Sequence, residues 1–177
     1  TTGSTAPINL TGAFATTGSQ TYNAAVTLTG ATTLATTNSP ITINSTLDGT
    51  QTLTLNAGTT GNAAININGA IGSTTAVGAL TVTGPTILGN NVSSAAQTWN
   101  SPITILDNNA QVVTKTLTAT GAVTFNGTIN GTSATPLENL TIANAANAVN
   151  INATIGLTKA LSNFNINGTA NPISPTI

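Results

Sequence analysis

The sequence predicts an all-β fold, in the form of a parallel β-solenoid of stacked coils. Three observations carry this prediction. Short runs of alternating apolar and polar residues recur along the chain, a motif returns in steps in the mid-twenties, and only five of 177 residues are charged. Alternation indicates strands with one buried face. A period in the twenties is the size of one coil of a solenoid.

The alternating runs define the predicted strands. Clusters of Gly, Asn, Ser or Pro bound these runs and indicate turns. Thr, with 40 copies, suits a pleated surface because it is β-branched. In chain order the runs are AVTLT, PITIN, TLTLN, AININ, ALTVT, PITIL, TLTAT, AVTFN, NLTIA and AVNIN.

Two diverged copies of one unit make up the array. GSQTYNAAVTL (18–28) matches AAQTWNSPITI (95–105), and ITINSTLDG (41–49) matches VTFNGTING (123–131). We predict a single array over 1–177, with copies at about 12–90 and 91–170, that is a segment of a longer array or polymer. A chain without Met is not expected to be a complete translation product. Two tandem β-sandwich domains of about 80 residues each are the alternative; they explain the large unit but not the shorter motif.

A recurring Asn follows several of the strands. The pattern apolar-x-apolar-Asn places Asn44, Asn68, Asn126 and Asn152 at matching positions of the motif. Stacked coils put like residues above like at ~4.8 Å, where Asn side chains form hydrogen-bonded ladders. We therefore predict these four residues as a structural ladder. Because stacked charges of one sign repel, the same stacking explains the scarcity of charge.

Catalysis has few residue types to draw on. The chain lacks His, Cys, Met and Arg, so acid–base chemistry has few candidates. Asp107, beside Asn108 and Asn109, offers too few carboxylates for Ca²⁺, and Asp48 and Glu138 are predicted to be exposed. We predict no catalytic, cofactor-binding or metal-binding residue and no enzyme activity. The charged residues are Asp48, Asp107, Lys115, Glu138 and Lys159.

Some binding functions remain open and others are excluded. Tyr22 and Trp99 hold matching positions and could stack on a glycan, although a core or cap role is the alternative. Thr-x-Thr pairs suggest ice binding, but TIN, NIN and TIA replace them in several coils. With two Lys and a net charge of −1, the chain forms no basic patch for nucleic acid or anionic lipid. No run is apolar enough to predict membrane insertion.

The blocks TTGSQTYNAAVTLTGATTL, INGAIGSTTAVGALTVTG and VTFNGTINGT resemble repeats of large secreted bacterial surface proteins of the filamentous-haemagglutinin-like adhesin class. The resemblance covers most of residues 12–170. It implies a long parallel β-helix, exported to the cell surface, that acts as a fibre, adhesin or matrix.

We therefore expect an extracellular, structural segment on the bacterial cell surface that self-associates into rods, filaments or a sheath. Its expected partners are copies of itself and, in addition, glycans or a host or cell surface. The alternative is a carbohydrate- or ice-binding solenoid module.

Overall fold

A computed structural model describes residues 6–107, 111–133, 135, 137–144 and 147–167. In this part of the chain there is no helix, every strand pair is parallel, and the strands stack into a β-solenoid of about six turns. The predicted fold class is confirmed, and the tandem sandwich alternative is wrong. No helix of the described residues is long and apolar enough to cross a membrane.

The described residues form seventeen strands. In chain order they are β1 (Ile8–Thr16), β2 (Gln20–Tyr22), β3 (Val26–Thr36), β4 (Ile41–Ile43), β5 (Leu47–Asp48), β6 (Leu53–Asn56), β7 (Ile65–Ile67), β8 (Val77–Thr83), β9 (Thr86–Leu88), β10 (Val92–Trp99), β11 (Ile103–Ile105), β12 (Val113–Ala119), β13 (Val123–Phe125), β14 (Ile129–Gly131), β15 (Glu138–Asn144), β16 (Val149–Ile151) and β17 (Asn163–Asn167).

Each turn crosses three faces. Face 1 carries the first parts of β1, β3 and β10 together with β5, β12, β15 and β17. Face 2 carries the last parts of β1, β3 and β10 together with β6, β8, β13 and β16. Face 3 carries β2, β4, β7, β9, β11 and β14. Because β1, β3 and β10 run across the corner between faces 1 and 2, those two faces form one continuous sheet.

Inward-pointing residues stack in register into a single core. The stacking follows from the alternation in the sequence, since every second residue of a strand points to the same side. On face 1 the column is Ile8, Val26, Leu47, Ile71, Val92, Leu117, Ile142 and Ile166. On face 2 the column is Phe14, Leu34, Leu55, Val82, Trp99, Phe125 and Ile151.

The two sequence copies do not lie on the same faces. Residues 20–22 and 41–43 lie on face 3, whereas their counterparts 97–99 and 123–125 lie on face 2. From Gln20 to the residue before Gln97 the chain makes eleven passes across a face. With three passes a turn, one copy spans three and two-thirds turns, and the second copy is rotated by one face.

Two glycines let consecutive turns approach at the corners. Gly69 follows a ladder Asn, and a Cβ there would collide with the backbone of Ser45 in the preceding turn. Gly127 holds the equivalent position over Ser101, with the same collision. The Asn-Gly pairs therefore combine a ladder side chain with a backbone that has no room for a side chain.

Candidate functional site

The two ends of the solenoid expose residues that are buried elsewhere. Apart from the first and last turns, the core columns are almost fully buried. The apolar residues of the core columns, or packed against them, that are only partly covered are Ile8, Phe14 and Tyr22 in the first turn and Ile155, Leu161, Phe164 and Ile166 in the last. Phe14 is the most open of the first group, at 37% exposure. Each end is therefore an apolar cross-section of the core.

Strand edges at both ends are also open. β1 pairs along one edge with β3, and β17 pairs along one edge with β15. Within the described ranges, the other edges of β1 and β17 pair with no strand. Unpaired N–H and C=O groups in a row are a template for another parallel strand. Apolar surface and open edges thus coincide at each end.

The four predicted ladder residues lie in two ladders at different corners. At the corner after face 3, Asn44 Nδ2 donates to Asn23 Oδ1 at 2.7 Å, and Asn68 Nδ2 donates to Asn44 Oδ1 at 2.8 Å. At the corner after face 2, Asn126 Nδ2 donates to Asn100 Oδ1 at 3.0 Å, and Asn152 Nδ2 donates to Asn126 Oδ1 at 2.8 Å. The second ladder begins on Thr83, whose Oγ1 accepts from Asn100 Nδ2 at 3.1 Å.

Tyr22 and Trp99 lie on different faces, but each donates a hydrogen bond to the Gln two residues before it. Tyr22 Oη donates to Gln20 Oε1 at 2.9 Å, and Trp99 Nε1 donates to Gln97 Oε1 at 3.2 Å. Both Gln side chains are buried, and their amides donate to backbone carbonyls, for example from Gln97 to Thr118 O at 3.0 Å. Trp99 is 1% exposed and lies in the core, whereas Tyr22 is half-buried at the first turn. Of the two, only Tyr22 therefore presents ring surface to a glycan.

Glu138 is the one predicted surface charge that the structure buries. Its relative exposure is 0%, so the expectation of a solvated position is wrong. Glu138 corresponds to Gln51 of the first copy, and five residues, 133–137, are inserted before it. The segment around this insertion closes on the carboxylate: Oε1 accepts from the backbone N–H and the hydroxyl of Thr132, both at 2.6 Å, and from the N–H of Ser133 at 2.8 Å.

These hydrogen bonds decide the protonation of Glu138. Burial raises the pKa of the carboxyl, but the bonds from Thr132 and Ser133 outweigh it and lower the pKa to about 2. Lys115 lies in the neighbouring strand β12, in register with Leu140 of β15. Burial lowers the pKa of the Lys115 ammonium, and the Asp107 charge opposes that shift. Glu138 is thus a charged structural anchor for the inserted segment.

Asp48 also acts as a turn anchor. Its Oδ1 accepts from the backbone N–H groups of Thr74 and Thr75, at 2.7 and 3.1 Å. In the second copy Asn130 Oδ1 accepts from Thr158 N–H at 3.0 Å. An amide and a carboxylate therefore perform the same task, which indicates a structural role for Asp48.

The described residues offer little chemistry for catalysis. They contain no group of three or more acidic, His or Cys residues that could hold a metal ion. A groove of about 420 Å³ lies across the turns at Ile71, Val92 and Thr116, and its lining carries no charged side chain. Asn108 and Asn109, weighed above as calcium ligands, lie outside the described residues.

Face 2 differs from the other faces in its outward residues. Its central column is Ala13, Thr33, Thr54, Thr81, Thr98, Thr124 and Asn150, so Thr occupies five consecutive turns in direct register. The central outward column of face 3 is mixed and reads Thr21, Thr42, Asn66, Ile87, Thr104 and Asn130. A single threonine column in register was not expected from the broken Thr-x-Thr pattern.

No family model matches the sequence, and neither a curated protein nor a solved structure matches it significantly.

Proposed function

We propose that this chain is a structural, non-catalytic segment of an extracellular fibre or adhesin, in which solenoid turns stack end to end on further turns. One observation carries the proposal: the apolar residues left partly uncovered in the core belong to the first and last turns. The same surfaces would pair whether the next turn belongs to the same chain or to another copy.

The two ends are different surfaces, so their contact is head to tail. Contacts of this kind generate open rods unless the rotation closes a ring. The first turn offers Ile8 and Phe14, and the last offers Phe164 and Ile166. Covering such apolar surface stabilises association by roughly 25 cal/mol per Å² before entropy losses. A net charge of −1 provides little long-range repulsion against it.

The resemblance to filamentous-haemagglutinin-like adhesins supports the setting of the proposal, the bacterial cell surface. The isolated segment would then act mechanically, as a stiff element of a rod, filament or sheath. Glycans or a host surface would be contacted by other parts of its exterior.

End-directed charges test the stacking. Phe14→Lys and Ile166→Lys each place an ammonium group on one apolar end, and Thr42→Lys places the same group on the exterior of face 3 as the matched control. In negative-stain electron microscopy and sedimentation, the native chain and Thr42→Lys should form filaments at high concentration. Both end variants should shorten those filaments or abolish them. Monomers of the native chain at every concentration tested, or filaments of unchanged length in both end variants, would overturn the proposal.

A second candidate is an ice- or carbohydrate-binding module. The threonine column of face 2 favours it, because a regular array of hydroxyl groups can order water or meet a sugar polymer, and the half-buried Tyr22 adds a stacking surface. Ice-recrystallisation or glycan-array activity of a segment that does not form filaments would favour this candidate over the fibre.

A further inference from the structure

We propose that face 2 is a lateral contact surface on which face 2 of a second copy packs, so that solenoid rods pair side by side. The inference rests on the proposed function, which supplies the rods. It concerns a different surface from the stacked ends, and it accounts for the composition of one face of the solenoid.

Three outward columns of short side chains (Ala, Thr and Asn) line face 2. The central column carries the five threonines described above. On one side the column is Ala31, Thr52, Ala79, Ala96, Ala122 and Ala148. On the other side it is Ala35, Asn56, Thr83, Asn100, Asn126 and Asn152. Short side chains on paired sheets can interdigitate and form a dry interface.

The ladder amides of face 2 already have hydrogen-bond partners, and the face carries no charged side chain. The amides of Asn100 and Asn126 each donate one hydrogen bond and accept one within the ladder, which lowers the cost of covering them. None of the five charged residues lies on face 2. Asp48, Lys115 and Glu138 belong to strands of face 1, and Asp107 and Lys159 follow passes across face 3. A second copy of face 2 would therefore meet no like charge.

The threonine column of face 2 is continuous across the boundary between the two copies. Thr98 and Thr124 belong to the second copy, and their counterparts in the first copy, Thr21 and Thr42, lie on face 3. Because the copies are rotated by one face, the threonines that lie on face 3 in the first copy recur on face 2 in the second copy. Thr33, Thr54 and Thr81 of the first copy already lie on face 2, so the column runs without a break across the boundary between the copies.

A second copy fits this surface in spacing and in area. The rungs repeat at ~4.8 Å, and a partner with identical rungs matches that period along its whole length. Six turns at ~4.8 Å and the five residues that the three columns span, at ~3.3 Å each, give about 480 Å² a partner, or about 950 Å² in total. Stable interfaces start near 1,000–1,200 Å², so one segment pairs weakly and a rod of many segments pairs firmly.

Filament width tests the proposal separately from filament length. Thr81→Lys/Thr98→Lys places two ammonium groups at the centre of face 2, and Thr42→Lys/Thr104→Lys places two on face 3 as the matched control. Native filaments should be paired rods of double width, and the face 3 variant should keep them. The face 2 variant should give single rods of unchanged length. Circular dichroism checks that both variants fold.

A thiol probe tests the same contact without adding charge. The chain has no Cys, so Thr98→Cys introduces a unique thiol near the centre of face 2, and Thr104→Cys is its counterpart on face 3. Mild oxidation should cross-link Thr98→Cys into dimers at least tenfold faster than Thr104→Cys. Equal rates would overturn the proposal.

Other outcomes separate the alternatives. Single-width native filaments would overturn lateral pairing and leave end-to-end stacking intact. Loss of binding to ice or to an insoluble polysaccharide in the face 2 variant, with filament width unchanged, would assign the face to a solid surface and also overturn pairing. If no filaments form, sedimentation equilibrium decides: a weak dimer of the native chain that the face 2 variant lacks supports pairing, and a monomer overturns it.

Discussion

Single side chains hold this solenoid together where its turns change direction. Asn44 and Asn126 each donate to the turn before and accept from the turn after. The carboxylate of Glu138 accepts hydrogen bonds from the backbone N–H groups of Thr132 and Ser133, where a segment is inserted. The strands of face 3 are only three residues long, so the corner contacts contribute to holding the turns in register.

Replacing ladder amides by carboxylates should separate donors from acceptors. In Asn44→Asp the donor to Asn23 is lost and two oxygens face each other, so we expect a loss of about 1 kcal/mol in the free energy of unfolding. Asn23→Asp keeps the acceptor that Asn44 uses and should stay within about 0.5 kcal/mol of the native chain. Urea unfolding followed by circular dichroism measures both. Equal losses of unfolding free energy in the two variants would show that the donor-to-acceptor direction of the ladder does not affect stability.

Glu138 should make stability depend on acid. Its folded pKa, about 2, lies below the usual 4.5, so its contribution is complete above pH 4.5 and is lost as the pH falls toward 2. Glu138→Gln replaces an acceptor by an amide among N–H donors and should cost on the order of 2 kcal/mol at pH 7. Unfolding at pH 7 and pH 3 should show a smaller difference in the variant. Asp48→Asn is the control and should have little effect at pH 7, because Asn130 already performs the same task with an amide.

At the scale of the strand, the sequence predicted type and spacing well but not position around the turn. The alternating runs that were identified in the sequence correspond to strands, because an inward Ile, Val or Leu column leaves a period of two. The same apolar-x-apolar-Asn pattern, however, precedes a corner on face 3 at Asn44 and on face 2 at Asn126. Since any corner accepts it, the pattern does not say which face a copy occupies.

The burial of Glu138 could not be predicted for a related reason. Its donors are Thr132, directly before an insertion that the first copy lacks, and Ser133 within that insertion, so the repeat offers no precedent for the burial. Trp99 could be weighed as core or contact from its type alone, and only its register beside Val82 and Phe125 places it inside.

Close contact between turns should make the corner glycines irreplaceable. In Gly69→Ala and Gly127→Ala the new methyl group meets the backbone of the preceding turn, and we expect losses of at least about 2 kcal/mol. Gly18→Ala is the matched control, since no atom lies within 4 Å of its Cβ position, and it should be neutral or slightly stabilising. Thermal unfolding compares the three. A neutral Gly127→Ala would mean that the corner can relax without loss.

The whole molecule should open from its ends. Each turn contacts only its neighbours, so stability is a sum of turns and of the contacts between them. The first and last turns have one neighbour each and a partly uncovered core. Hydrogen exchange followed by mass spectrometry should find the slowest amides in β6, β7 and β8 and the fastest in β1 and β17. Uniform protection from end to end would indicate a single cooperative unit, and protection at the ends that rises with concentration would reveal stacking.

The one-face rotation between copies has a consequence for how such a rod diversifies. A duplicated segment does not arrive on the face from which it came, so a residue useful on one side is carried by duplication to another. Three copies, or eleven turns, are needed before a segment returns to its original side. A rod that grows by copying therefore carries a residue type from one side to another, as Thr21 and Thr42 on face 3 recur as Thr98 and Thr124 on face 2.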